Sequence, residues 1–288
     1  MISPYVRRLR LGMELRTLRV DRNLNQDLLA RRIGKSRMEI SRLETGQSVD
    51  LADVLNILDA LGVEGEQWTE IVSIAREACE RGWWDSIKRI GDRQALYADL
   101  EAGAEIICGY EQTYLPGLYQ IPEYTEALAA AEATLTPGSG NVDGFLAGRA
   151  GRQRNLRRPG SPSVEVIIDE AAVWRLAVPP QVAKKQIRHL VQVIEGQQPN
   201  VSIRVLKLSA RIQDFTVPRC TFSVYRYPDP GDPTVVAIDT VTSDVIVTDD
   251  AQVTPYEKLY DRLRDAALSP ADTASFLLKA ACEIPEYF

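Results

Sequence analysis

Residues 25–47, NQDLLARRIGKSRMEISRLETGQ, decide how the N-terminal part of the chain folds. Apolar residues at helical spacing predict a short helix over 26–33, a reversal at Gly34 and a second helix over 36–44. That is the helix-turn-helix layout. Gly34 stands where the chain must reverse and a Cβ would be penalised, and Ala30 is small where two steeply crossing helices approach.

Ser36 followed three residues on by Glu39 is the capping-box pattern, in which hydroxyl and carboxylate satisfy each other's free backbone amides. Ser36 is therefore the expected N-cap of the second helix. Ile40 and Leu43 share a face and should pack inward, leaving Met38, Arg42 and Thr45 outward with Arg37 and Ser41 beside them. This face is the expected reading head for DNA, with Arg37, Met38, Ser41 and Arg42 as the base-contacting set. An arginine fork matches guanine O6 and N7, Met38 can meet a thymine methyl, and each good base contact discriminates by about 1–3 kcal/mol. Asn25, Gln26, Lys35, Ser36, Thr45 and Gln47 form the expected phosphate-contacting set, with Gln26 at the positive end of its helix. A plain helical hairpin with solvated arginines is the competing interpretation. It does not explain why cap, small Ala, turn Gly and inward Ile/Leu spacing occur together in order.

Gln26, Leu29, Ala30, Ile33, Gly34, Ser36, Ile40, Ser41, Leu43, Glu44 and Gly46 resemble the pattern of phage-repressor-like (XRE family) DNA-binding domains over about the first quarter of the chain. The resemblance implies that Arg19, late in the first helix, pairs with Glu44 at the end of the recognition helix and braces the motif. Asn25, Lys35 and Met38 depart from the family's usual residues, which bears on the bases read.

The chain has 288 residues, 45% apolar and 26% charged, so it is long enough for two domains with real cores. No apolar run reaches membrane-span length, and the first residues lack a signal peptide's apolar core and cleavage site, so a cytoplasmic, nucleoid-associated protein with no membrane partner is expected. Four scattered cysteines form no CxxC, and His189 is the only histidine. These counts argue against a Ser-His-Asp triad and a His- or Cys-rich metal site, and no catalytic residue, cofactor or metal ligand is assigned. The net charge is −6, but residues 1–62 carry eleven Lys/Arg against eight Asp/Glu, leaving the remainder at −9. The basic surplus lies with the helix-turn-helix.

Leu11, Leu15 and Leu18 outline a first helix, preceded by Arg7, Arg8 and Arg10 as an expected phosphate-contacting arm. Leu51, Val54, Leu55, Leu58 and Leu61 outline a fourth helix stopped by Gly62, and residues 68–79 a fifth. The predicted organisation is an all-α five-helix HTH domain over 1–82 followed by a mixed α/β domain over 83–288. Trp83 and Trp84, adjacent at this boundary, suggest a docked junction or a loop anchor. Beyond it, 96–102 reads as helix, 105–110 as strand, 123–135 as helix, 136–141 as exposed loop and 142–158 as an arginine-rich helix. Its Arg149, Arg152, Arg154, Arg157 and Arg158 should pair with carboxylates or lie solvated, with a second DNA contact as the alternative. A strand at 164–168, a helix at 181–194 and a strand at 201–208 suggest a βαβ unit with parallel strands. Strands at 220–227, 235–239 and 244–247, with turns at 228–233 and 242–243, and helices at 253–268 and 270–282 complete the chain.

GWWD, EQTYLPGLYQIPEYTEAL, IIDEAAVWR, QIRHLVQV, FSVYRYPDPGDPTVVAID and YEKLYDRLRDAALSP resemble the DUF5753 (antitoxin-like) domain behind XRE-type modules in actinobacterial regulators. The resemblance implies a transcriptional regulator governed through its C-terminal domain by a ligand or a small DUF397-like protein, or an antitoxin-like protein that chiefly sequesters that partner. Since one recognition helix covers few base pairs, a homodimer on palindromic double-stranded DNA is expected. An enzyme is the third alternative. Asp169, Glu170, Asp239 and Asp244, with Asp249 and Asp250, stand near strand ends and would form a metal-dependent nuclease site if they converged, although strand-end carboxylates serve equally as helix caps. Neither GxGxxG nor a phosphate-binding G-x-x-x-x-G-K-[ST] loop is present.

Overall fold

The computed structural model describes residues 2–135, 142–196, 198–241 and 243–285. The chain forms two compact units, Met1–Ser86 with Tyr227–Pro233, and Ile87–Arg226 with Thr234–Phe288. The loop read over 136–141, and Thr242 in the turn read at 242–243, lie outside the described residues.

Five helices build the first unit: α1 (Pro4–Asp21), α2 (Gln26–Arg32), α3 (Arg37–Glu44), α4 (Leu51–Ala60) and α5 (Gly65–Ala78). Four of them start on side-chain caps. Ser3 accepts from Val6 with Pro4 in the first turn, Asn25 from Leu28, Ser36 from Glu39, and Asp50 from Ala52 and Asp53. Each cap relieves one or two of the amides that a helix leaves unbonded at its start. Leu11, Leu15, Leu18, Leu29, Ile40, Leu43, Val54 and Leu58 meet in one core, where each large apolar side chain contributes about 1.5–3 kcal/mol of burial. A Cβ on Gly12 would stand 2.5 Å from the Glu44 carbonyl oxygen, so only glycine lets α1 approach α3 this closely. After α5, Trp83–Ser86 makes a 3-10 turn in which Trp84 is buried and meets Trp83 edge-on at 5.8 Å.

The arm read at Arg7, Arg8 and Arg10 is corrected at two of its positions. Arg7 and Arg10 lie within α1 and are buried among carboxylates. Arg7 Nη1 donates to Asp229 Oδ2 and Asp232 Oδ1, each at 2.9 Å, and its Nε lies 2.9 Å from Glu77. Arg10 donates to Asp229 at 2.7 Å and to Glu70 at 2.9 Å. Their charge is used inside the first unit, which includes residues 227–233.

The second unit is a six-stranded mixed sheet in the order β3-β2-β1-β4-β5-β6, with β1 (Ile106–Glu111), β2 (Ser163–Asp169), β3 (Val201–Leu206), β4 (Phe222–Arg226), β5 (Val235–Ile238) and β6 (Val245–Val247). Strands β1, β2 and β3 are parallel and the others antiparallel, so the βαβ unit read at 164–208 is present and β1 extends it. The helices are α6 (Asp92–Glu101), α7 (Pro122–Leu135), α8 (Val142–Asn155), α9 (Glu170–Trp174), α10 (Pro180–Glu195), α11 (Asp250–Ala266) and α12 (Pro270–Glu283). The short α9 escaped the sequence reading, because its single turn is too brief to show periodicity and depends on Asp169 accepting from the Ala171 amide. Tyr110, Ile167, Phe222 and Val236 pack one sheet face against Val253, Tyr260 and Leu263 of α11. On α8, Arg152 is buried against Glu101 and Gln94, which takes it out of the solvated-face alternative.

The Asp229 carboxyl is held down to about 2 by the Gly231 amide and then by Arg7 and Arg10, against an ordinary value of 3.8. Its folded pKa lies below the unfolded one, so its stabilisation is present above about pH 4 and is lost as pH falls toward about 2. Because the carboxylate is partly solvated, Asp229→Asn in the full chain should lower the urea-unfolding free energy at pH 7 by only about 0.5–1 kcal/mol. Parent and variant should converge near pH 2. Equal stabilities at pH 7 would remove Asp229 from the forces holding this unit.

Candidate nucleic-acid interface

The reversal between α2 and α3 is made at Gly34, whose φ of +68° is the left-handed conformation that L side chains resist. Three residues on, the box closes in both directions: the Glu39 amide donates to Ser36 Oγ at 3.3 Å, and the Ser36 amide to Glu39 Oε2 at 2.8 Å. The Ser36 amide, and then the Ser36 hydroxyl, hold the Glu39 carboxyl below its usual range. Ile40 and Leu43 are buried, and on the other side of α3 Met38 is 62% exposed, with Arg37 and Arg42 also exposed and Ser41 half-buried. Among the described residues the Arg37 guanidinium has one carboxylate near it, that of Asp27 at a loose 3.9 Å. The outward face therefore carries two solvated guanidinium groups around an exposed thioether.

The far end of α3 is fixed from two other helices. Arg19 of α1 donates from Nε to Glu44 Oε1 at 2.5 Å and from Nη2 to Glu44 Oε2 at 2.9 Å. Gln26 of α2 donates to the same Oε2 at 2.8 Å. Arg19 also donates to the Leu24 carbonyl at 2.7 Å, bracing the turn before α2.

The polar residues around the helix ends divide by what they already bond. Lys35 lies 2.9 Å from Asp53, and the hydrogen bond to Asp53 raises its pKa. Asn25 uses Oδ1 as the cap of α2. The Ser36 hydroxyl donates to Glu39 at 2.8 Å, and the Thr45 hydroxyl to the Ser41 carbonyl at 2.8 Å. Gln47 is exposed, with its amide bonded to the Arg42 carbonyl. Neither the Gln26–Glu44 bond nor the Lys35–Asp53 pair was found from the sequence. Both join residues eighteen apart in different elements, which no periodicity within one helix relates.

The strand-end carboxylates of the second unit are engaged by other groups, and of these Asp239 and Asp244 lie beside each other. Asp169 accepts from the Tyr110 hydroxyl at 2.7 Å and caps α9. Glu170 accepts from Lys207 at 2.9 Å and from the Leu208 amide at 2.8 Å. Asp239 accepts from Tyr97, and Asp244 pairs with Arg93 at 3.1 Å. Burial, and then neighbouring Asp239, push Asp244 up to about 6 against the pull of Arg93. Asp249 caps α11. Among the described residues no group of three or more His, Cys, Asp or Glu side chains is placed to hold a metal ion.

A capped second helix, a glycine reversal and a solvated arginine face opposite a buried apolar one define a helix-turn-helix protein of the DNA-binding class. Residues 10–70 match the family model described as "Helix-turn-helix domain", and residues 94–279 match "Domain of unknown function (DUF5753)". The second match covers well over half of the chain, which belongs to the DUF5753 family. No curated protein and no solved structure matches it. No helix among the described residues is long and apolar enough to cross a membrane.

With side chains only 10% and 4% exposed, Arg19 and Glu44 form a pair that cannot be broken from one side without leaving a buried charge. Glu44→Ala should lower the unfolding free energy of the first unit by about 3–5 kcal/mol in urea titrations. Unfolding within error of the parent would show that the pair braces nothing.

Proposed function

We propose that the protein is a sequence-specific transcriptional regulator that reads DNA with α3 and is controlled through its C-terminal domain. The observation that carries this is the division of α3 into a buried Ile40/Leu43 side and a solvated Arg37/Met38/Arg42 side. In this proposal Arg37, Met38, Ser41 and Arg42 meet base edges. Asn25, Gln26, Lys35, Ser36, Thr45 and Gln47 position the phosphates, with the Ser36 and Thr45 hydroxyls rotating off their internal bonds to donate to phosphate oxygens. Residues 1–82 supply this module and 83–288 the controlling domain. The module fits the XRE class through the residues shared with that family, and its place of action is the cytoplasm, at the nucleoid.

Arg42→Ala should weaken binding to a selected operator by about 1–3 kcal/mol while leaving affinity for random DNA nearly unchanged, as fluorescence anisotropy on both DNAs would register. Equal losses on the two would make Arg42 a phosphate contact.

Two copies on a palindrome, with half-sites about 34–36 Å apart, give one short recognition helix the additional contacts that specific binding needs. Sedimentation of the operator complex should find two chains per site. One chain with a single-site footprint would overturn the dimer.

Control requires an effector that binds the DNA-competent and incompetent states unequally, since equal affinity shifts no population. The resemblance to antitoxin-like domains makes a small DUF397-like protein the first effector to test. Operator affinity of the full chain should change about 5–150-fold when that protein is added at saturation. A tight complex that leaves operator affinity unchanged would favour the second reading, in which the chain's main task is to sequester the partner. Absence of any complex would remove the partner from both.

A further inference from the structure

The second unit carries a groove of about 470 Å³ formed by Thr216 and by Ala251, Pro255, Lys258, Leu259 and Arg262 of α11. The helical residues recur at helical spacing, so one face of α11 forms a wall of the groove. Beside it, Phe215 is 94% exposed and Val217 is 74% exposed. An aromatic side chain left this far in water is ordinarily turned inward, and here the backbone opposes that. Asp214 and Phe215 both adopt left-handed φ, at +54° and +53°, a conformation that side-chain-bearing residues hold only where their surroundings impose it. Arg262 braces this turn from both sides. It lies 2.9 Å from Asp214 and donates to Thr216 Oγ1 at 2.6 Å, so one guanidinium holds both neighbours of Phe215.

Charge on α11 is sorted around the helix. The groove face bears only Lys258 and Arg262, while Glu257 is bonded to Arg226 and Asp261 lies 3.0 Å from Arg264. Lys258 is exposed and, among the described residues, paired with no carboxylate. With Arg262 already paired to Asp214, Lys258 is the cation this face leaves available, and on a domain whose sequence is net acidic it selects an acidic occupant. Pro255 adds a backbone feature, because it has no N–H and so leaves the Ala251 carbonyl without its i+4 amide donor. The groove thus offers an apolar wall and an unpaired cation beside an exposed aromatic ring. That is the make-up of an interface centre, where a few aromatic and cationic anchors dominate binding.

We propose that this groove docks an acidic segment of a partner protein, with one large apolar side chain seated between Phe215 and the Pro255/Leu259 wall and its carboxylates on Lys258. The proposal rests on the partner-controlled reading given above and assigns that partner its surface and its chemistry.

The test titrates the same small partner protein into the full-length chain by calorimetry, using the parent, Phe215→Ala and Lys258→Glu. Both side chains are exposed, so thermal unfolding of the variants should match the parent. Each substitution is expected to weaken the complex at least tenfold. Raising salt from 0.05 to 0.3 M is expected to weaken the parent complex more than that of Lys258→Glu, since screening acts on the charge that the variant removes. An Asp- or Glu-to-Lys substitution in the partner's acidic segment should restore binding to Lys258→Glu. If the partner binds the parent and both variants within twofold of one another, the groove is not the docking site, and partner control stands without it. If the partner does not bind the parent, partner control fails and the groove assignment falls with it.

Discussion

The orientation of α3 depends on one carboxylate. Glu44 receives the Arg19 fork from α1 and the Gln26 amide from α2, so three helices meet at two oxygens. An eight-residue helix has too few internal bonds to persist alone, and its direction must come from what it packs on. The buried Ile40 and Leu43 supply attraction but little direction, since apolar contact tolerates rotation. The bidentate ion pair supplies direction, because a guanidinium and a carboxylate are both planar and bond well in one arrangement. Gly12 makes the arrangement reachable by removing the side chain that would hold α1 away from the Glu44 carbonyl. Such a pair adds little net stability over apolar residues of the same shape, and its value here lies in fixing where the outward face of α3 points.

The same reasoning separates charge that is present from charge that is available. The first 62 residues carry a basic surplus, yet Arg7 and Arg10 are enclosed by Glu70, Glu77, Asp229 and Asp232. Lys35 is close to Asp53, whereas Arg42 is exposed and Arg37 has a carboxylate only at 3.9 Å. The surplus that water or a phosphate can meet is therefore smaller than the count: on α3 it is Arg37 and Arg42, and Arg16 of α1 with Arg31 and Arg32 of α2 are exposed as well. Counting charges along the sequence gives the sign of the module, and only the pairing gives the face.

What the sequence made legible is what short-range chemistry dictates. The Ser36/Glu39 box, the reversal at Gly34, the inward Ile40 and Leu43 and the Ser269 cap of α12 are set within a few residues and leave a local pattern. The parallel pairing of β2 with β3 was also readable, since a crossover helix between two strands imposes it. The position of β1 was not. It lies between β2 and β4, an order set by which edges find partners after the chain has collapsed. That Arg152 would pair with a carboxylate was one of the two expectations for the arginines of its helix, but nothing near it in sequence announces Glu101, fifty-one residues earlier, as the partner. The aspartates facing Arg7 and Arg10 stand 219 to 225 residues away from them, and there the sequence showed only turn residues.

Those turn residues also determine how much of the chain the first unit needs. Tyr227–Pro233 belongs to it by contact, yet β4 ends at Arg226 and β5 begins at Val235. The stretch over 1–82 therefore holds the whole helix-turn-helix motif but lacks the aspartates that face Arg7 and Arg10. Losing partly solvated ion pairs of this kind costs on the order of 1 kcal/mol each, so the motif's own core, and not these pairs, must carry most of the unit's stability.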